Sequence, residues 1–419
     1  MPVTRLDASQ HSVTRDRVDA NALDVVTTLK EAGYEALLVG GCVRDLLLGA
    51  TPKDFDVATN ATPEDVRKLF RRTRLVGRRF RIAHVRYERD IIEVSTFRKS
   101  SSQLEEGDRH ANADGMILRD NVYGTLDEDA FRRDFTINAL YYDPQEEEIL
   151  DFVGGLDDLD ERVLRFIGDS RERLQEDPVR LLRAIRFQAK LGFSLDQSIL
   201  DAANLASERL AAVPPARLFD EFTKLFLSGF ATEAWSLVKD SPVRGSLFPA
   251  TPAQNRFAEL AMINTDQRID EGRPITPGFL IAVLLWHDFE ARIHDLETHH
   301  NLNDARLAAA QETLLSQREV IAIPRRYSQF ANEVWLLQSR LEHRRGRQIK
   351  RILSHPRFRA AYDFLLLRAE SELADPELAR WWTRIQDLDS EGVQGMIDTL
   401  PRDARRKRRR RRRRSKSTS

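Results

Sequence analysis

The period of apolar and polar positions changes near residue 170. From Asn21 to Phe70 helical repeats alternate with short strand-like runs, and residues 75–98 add further β-rich stretches. Ser100 to Asp114 is a polar, flexible-looking insertion. Beyond about residue 170 the pattern turns helical and stays so, as at Leu218 to Leu227 after Pro214-Pro215, Phe279 to Trp286, and Arg359 to Leu373. No internal repeat is present. The pattern predicts an α/β head carrying a small mixed β-sheet, followed by an all-α neck and body. The boundaries expected are a polar leader at 1–20, the head at 21–165, the neck at 166–240, the body at 241–400 and a disordered Arg-rich tail at 401–419.

Composition narrows the class. A chain of 419 residues comprises several packed units, and 41% hydrophobic content suffices for ordinary cores. The single Cys42 excludes internal disulfides and cysteine-based zinc sites and points to a reducing compartment. Met1 to Asp19 lacks the apolar core of a signal peptide, and no stretch is long enough to span a bilayer, so the expected location is the cytoplasm. The net charge of zero conceals segregation: residues 402–419 hold 12 Lys or Arg against one acid, leaving 54 bases against 65 acids in residues 1–401. A run such as Arg408 to Arg414 repels itself and buries nothing, so it is expected to be disordered and to meet a polyanion.

The most informative segment is Leu38-Val39-Gly40-Gly41-Cys42-Val43-Arg44-Asp45, followed by Lys53-Asp54-Phe55-Asp56-Val57. Two glycines ending an apolar run let backbone approach a phosphate closely, and a short helix then begins. Side chains two apart on a strand share a face, so Asp54 and Asp56 are expected to converge on a pair of Mg²⁺ ions while Phe55 packs behind them. Together these features suit a nucleoside triphosphate handled with metal ions.

A third carboxylate is expected from a neighbouring strand, because two close cations need further negative charge. Glu93 interrupts the apolar run Ile91-Ile92-Glu93-Val94-Ser95-Thr96-Phe97, read as a buried strand, and is the best candidate. In Arg132-Arg133-Asp134 the guanidinium forks suit phosphate oxygens, with Asp134 orienting them or supporting the metal cluster. Glu176 to Phe187 reads as a helix with Arg180, Arg183 and Arg186 in one ridge, Leu181, Leu182 and Ile185 turned inward, and Asp177 as an N-cap before Pro178.

Five ordered motifs, GGCVRD, DFD, the Glu93 strand, RRDFTINALYY and EDPVRLLRAIRF, together resemble the nucleotidyltransferase superfamily branch that contains bacterial poly(A) polymerases and tRNA CCA-adding enzymes. The segments LVGRRFRIAHV, GMILRDNVYGTLDEDAFRRDFTINALYY and HPRFRAAYDFLLLRAE, with the arginine-rich tail, resemble the poly(A) polymerases over nearly the whole chain. That resemblance implies an α/β nucleotidyltransferase head. Gly40, Gly41 and Arg44 would hold a triphosphate. Asp54 and Asp56 would bind Mg²⁺, with Mn²⁺ as an alternative, and Glu93 or Asp134 would complete the acidic set. Arg133, Asp177, Arg180, Arg183 and Arg186 would contact the nucleotide, with Asp177 and Arg180 reading the base. The implied chemistry is attack of an RNA 3′-hydroxyl on the α-phosphate of ATP, releasing pyrophosphate, with a role in RNA processing and decay. Arg78, Arg79, Arg408, Arg410 and Arg412 would contact RNA, and the tail is a candidate contact for RNA-decay machinery. CCA addition to tRNA is the alternative enzymatic reading, and a non-enzymatic RNA-binding protein is a third.

Three smaller features have ordinary readings. His84 lies in an alternating strand and is read as structural or RNA-contacting rather than as a base. Trp286-His287-Asp288 and His299-His300 lack the further ligands of a metal site. Trp335, Trp381 and Trp382 suit core packing, with RNA stacking as the less common alternative.

Overall fold

A computed structural model describes residues 3–77, 81–88, 90–99, 110–111, 117–119, 122–344 and 346–400. Expectations for Arg78, Arg79, most of the 100–114 insertion, and the 401–419 tail with Arg408, Arg410 and Arg412 lie outside the described residues. The chain divides into two compact units, Met1–Val213 and Pro214–Ser419. Among the described residues no helix is long and apolar enough to cross a membrane.

The first unit is built on one mixed sheet of eight strands. In chain order these are β1 (Thr4–Leu6), β2 (Ala36–Val39), β3 (Asp56–Thr59), β4 (Thr73–Val76), β5 (Ile82–Tyr87) and β6 (Asp90–Thr96), then, after a short pair β7 (His110–Ala111) and β8 (Ile117–Arg119), β9 (Leu140–Asp143) and β10 (Glu148–Asp151). The spatial order is β1-β10-β9-β2-β3-β6-β5-β4. Within this sheet β3 and β6 run parallel, Asp56 opposite Glu93, and the other neighbours are antiparallel. All four residues of β2 are buried, as a strand covered on both faces requires. The opening segment does more than lead in, because β1 pairs with β10 at the sheet edge. Ladder hydrogen bonds need no apolar side chains, so a three-residue edge strand leaves no hydrophobic signature.

Helices α1 (Ala20–Glu31), α2 (Gly41–Leu47), α3 (Pro63–Leu69), α4 (Leu126–Arg132), α5 (Gly155–Asp160), α6 (Ser170–Glu176), α7 (Val179–Leu191) and α8 (Gln197–Arg209) complete this unit. In α7, Leu181, Leu182 and Ile185 are 3%, 1% and 5% exposed, as the 3.6-residue period requires. Its helix starts one residue later than expected. Pro178 occupies the cap position, and Asp177 sits just outside, its carboxylate accepting from the Val179 amide at 3.3 Å.

The second unit is helical throughout the described residues, from Pro215–Phe226 to Ser390–Asp398. Its tryptophans belong to the core. Trp335 donates Nε1–H to the Ala282 carbonyl and stacks on Phe289, while Trp382, fully buried, donates to the Leu341 carbonyl and meets Trp381 edge-on. Trp286 begins the helix Trp286–Leu296, where Asp288 pairs with Arg292 at 2.9 Å.

Candidate active site

The glycine pair lies where β2 meets α2. Gly40 has φ +84° and ψ −131°, a conformation essentially restricted to glycine. A Cβ at Gly40 would lie 3.7 Å from Arg133 Nη1, and one at Gly41 would lie 3.6 Å from Arg44 Nη2, so two guanidinium groups flank the turn. Arg44, expected on the phosphates, is only 2% exposed. Its Nη1 donates to Asn138 Oδ1 at 2.6 Å, its Nε donates to Asp45 Oδ1 at 2.8 Å, and its guanidinium stands 5.4 Å from the centre of the Phe187 ring. A fully neutralised, buried guanidinium braces the turn against the 136–138 segment and α7.

The carboxylates stand next to this turn. Asp54 precedes the strand and is exposed, whereas Asp56 is its first residue, so the two do not share a strand as the alternation predicted. The strand starts late because Lys53 and Asp54 form a bend. Phe55, 8% exposed, packs inward as expected. Glu93 faces Asp56 across the parallel ladder, and its carboxylate lies 3.3 Å from His84 Nε2. The strand carrying Glu93 is interior to the sheet, yet its side chain is half exposed, so open space and not burial accommodates the charge. Burial, then the neighbouring Glu93, push the Asp56 carboxyl up to about 6, with Asp54 adding to the rise and Arg133 opposing it. Hard oxygen donors accumulating like charge suit a divalent cation. Among the described residues, however, no group of three or more His, Cys, Asp or Glu is arranged around a single point as a metal cage.

Three carboxylates, Asp129, Asp134 and Glu176, fix the arginines. Asp129 in α4 is fully buried and had no expected role. It accepts from Arg132 Nε at 2.8 Å, Arg133 Nη2 at 2.9 Å, the Tyr141 hydroxyl at 2.9 Å and the Arg98 amide at 3.2 Å. Burial alone would raise this carboxyl, but Arg133 and Arg132 outweigh it and hold it at about 2. Arg133 also donates Nε–H to the Tyr141 hydroxyl at 3.1 Å.

Asp134 belongs to the arginine cluster. It bonds Arg183 Nη2 at 2.7 Å and Arg180 Nε at 3.2 Å, and against the effect of burial Arg183, Arg180 and Arg173 hold it at about 2. Glu176 accepts from Arg180 Nη1 at 2.9 Å and Arg173 Nη1 at 3.0 Å. Arg173 in turn donates to the carbonyls of Arg132 and Arg133 at 2.8 and 2.5 Å, tying α6 to the segment before Asp134. Arg186 stands 4.9 Å from the Phe187 ring. Arg183 Nε is buried without a hydrogen-bond partner. The expected arginine ridge is therefore real, but Arg180 and Arg183 are positioned by Asp134, and Arg180 also by Glu176.

Of the carboxylates considered, Glu93 is the one whose charge Asp56 feels most strongly, whereas Asp134 serves guanidinium groups. Asp45, Asp129, Asn138, Tyr141, Arg173 and Glu176 had no assigned role in the sequence. The signals available were helical spacings, i, i+4 for Asp129 with Arg133 and for Glu176 with Arg180, and i, i+3 for Asp129 with Arg132 and for Arg173 with Glu176.

The poly A polymerase head domain matches residues 36–165. The probable RNA and SrmB-binding site of polymerase A matches 192–254, and the polymerase A arginine-rich C-terminus matches 298–416. Poly(A) polymerase I of Haemophilus influenzae is 43% identical over 95% of this chain and 91% of its own length. Poly(A) polymerase I of Escherichia coli O6:H1 is 42% identical over 96% and 91%. A Streptococcus pneumoniae CCA-adding enzyme is 34% identical over 63% of each chain. Among solved structures, a CCA-adding enzyme in an apo form superposes with a TM-score of 0.62 at 21% identity, covering 97% of this chain and 98% of its own. The Bacillus stearothermophilus CCA-adding enzyme in complex with CTP gives 0.58 at 24% identity, covering 91% and 88%.

Proposed function

This chain belongs to the poly(A) polymerase I family, whose members are nucleotidyltransferases, and we propose that it adds AMP from ATP to RNA 3′ ends without a template. The observation that carries the site's chemistry is Arg133. Its guanidinium abuts the Gly40 turn, is anchored by Asp129 and Tyr141, and opposes the charge gathered at Asp56. A triphosphate entering at the glycine turn meets close backbone and one fixed guanidinium, a pairing suited to phosphate oxygens.

Enzymes of this family generally use divalent metal ions. In our reading Asp54, Asp56 and Glu93 would hold Mg²⁺, or Mn²⁺ in its place, as two ions, which would supply Lewis acidity at the attacking hydroxyl and positive charge at the leaving oxygens. Asp134 and Glu176 keep the Arg180 guanidinium in one orientation, so that it and Asp177 present fixed donors and acceptors to adenine. Arg183 and Arg186 extend the cationic ridge toward the nucleotide. RNA is the second substrate, a reading supported by the match to a polymerase A RNA-binding segment at 192–254. Within that reading the arginine-rich tail binds polyanions and contacts RNA-decay machinery, and the protein acts in the cytoplasm.

The test is incubation of purified protein and Mg²⁺ with a generic RNA or with a tRNA lacking its 3′ end, comparing ATP alone with CTP plus ATP. Long tails from ATP alone on generic RNA are expected. Products confined to tRNA and ending after a CCA triplet would replace this reading with CCA addition, the activity named for the pneumococcal relative.

A further inference from the structure

We propose that the sheet face carrying the acidic residues continues into a phosphate track that holds the RNA several nucleotides behind its 3′ end. The ladder registers define the track. Asp56 lies opposite Glu93, Glu93 opposite His84, and His84 opposite Arg74, so these four side chains form one row across β3, β6, β5 and β4. Residues in register share a face, as do residues two apart. The adjoining row therefore holds Ile91 and Arg86, which are paired in register, with Arg72 bonded through its carbonyl to the Arg86 amide at 3.0 Å. Burial agrees: Ala83, Val85, Ile92 and Val94 face the core, whereas Arg74, Arg86, Ile91 and Glu93 are exposed.

A groove of about 560 Å³ opens at this end of the sheet, lined by Arg71, Arg72, Arg74 and Arg86 together with Glu88 and Asp90. Among the described residues none of the four guanidinium groups has an ion pair, although Arg81 close by is bound to Glu64. Four exposed like charges side by side repel one another, an arrangement that a polyanion relieves. Glu88 and Asp90 offset part of that charge, and Asp90 also accepts from Asn21 Nδ2 at 3.3 Å, so the groove keeps an excess of two positive charges by formal count.

Geometry sets the spacing along the strand. Three ladder steps of about 4.8 Å separate Asp56 from Arg74, roughly 14 Å. A stacked single strand carries one phosphate per about 3.4 Å, so with its 3′-hydroxyl at Asp56 it would meet Arg74 and Arg72 about four nucleotides back. Ile91, 43% exposed between acids and arginines, offers an apolar platform for an intervening base. The 3′-hydroxyl placement rests on the function proposed above, whereas the phosphate contacts do not.

The test is the triple variant R72Q, R74Q and R86Q of the full chain, compared with the parent protein for extension of a 15-nucleotide oligo(A) and of a trinucleotide. We expect KM for the long primer to rise roughly tenfold and the logarithmic salt slope of its binding to flatten by about 2, at about 0.7 per lost single-strand contact. KM for ATP, kcat at saturating primer and KM for the trinucleotide should stay unchanged. An equal loss for long and short primers would mean general electrostatics, and unchanged KM and slope would mean no contact; either overturns the track. If the parent protein extends no RNA, the proposed activity fails, and anisotropy with labelled oligo(A) and its salt series still decides the track. An unshifted melting temperature of the triple variant excludes a folding defect, and R86Q alone, expected to flatten the slope by about 0.7, repeats the decision if the triple variant misfolds.

Discussion

Replacing Asp129 with Asn keeps its shape and removes the charge from a carboxylate that has no contact with solvent. A carboxyl held below its ordinary value by Arg133 and Arg132 contributes on the order of 1–3 kcal/mol at neutral pH. Removing one partner of a buried ion pair also leaves the other uncompensated, for a total of about 3–5 kcal/mol. Because the folded pKa is depressed, this contribution is complete above about pH 4 and fades as pH falls toward 2. The variant lacks it throughout, so the difference from the parent must shrink across that window. All five tryptophans, Trp235 to Trp382, lie in the second unit, so their fluorescence follows that unit and serves as an internal control. The first unit can be followed by pulse proteolysis in a urea series, with thermolysin at neutral pH and pepsin in acid, and fragments cut within 136–143 identified by mass. A neutral-pH difference below about 1 kcal/mol, or one that stays constant between pH 4 and 2, would refute the anchoring role given to Asp129.

Asp56→Ala should lower nucleotide incorporation by roughly a thousandfold or more while RNA binding stays within about twofold, measured by primer extension and by anisotropy; near-normal turnover removes Asp56 from the site. Asp134→Asn removes the acid that pairs with Arg183 and one of the two that pair with Arg180, so discrimination of ATP over CTP should fall by about 1–3 kcal/mol in competing kcat/KM; unchanged preference with reduced rate would leave Arg180 a structural role alone. Gly40→Ala forces a side chain onto φ +84° and ψ −131° and should cost about 1–3 kcal/mol of stability with a raised KM for ATP. A variant matching the parent in melting temperature and KM would show that the turn tolerates a Cβ.

The parts of the site legible from sequence were those in which one element repeats at its own period. Phe55 between two acids, and Leu181, Leu182 and Ile185 beneath three arginines, follow from local periodicity and are where the structure puts them. Asp54 shows where that reasoning stops: period-two spacing assumes a strand that in fact begins at Asp56. Arg44 and Asp134 show a different limit. Their partners, Asn138 and Arg180, are 94 and 46 residues away, and no local pattern predicts which arginine a carboxylate will claim. Asp129 was hidden for a further reason. Within Asp127-Glu128-Asp129 it resembles its solvated neighbours, and only the fold buries one of the three.

The parallel pairing of β3 with β6 also governs when the site can exist. Asp56 and Glu93 are 37 residues apart, and a chain emerging at about 5–20 residues per second needs roughly 2–7 s to supply the second after the first. During that interval the nascent β3 can pair with β2 but has a bare edge on its other side. The hairpin of β5 and β6 can form locally, yet it delivers Glu93 to Asp56 only when docked in correct register, since a slip of one residue would turn Glu93 to the opposite face. Synthesis stalled before residue 93 would therefore leave a head with a bare β3 edge and without the Glu93 carboxylate, and the far edge of β2 stays open until β9 follows.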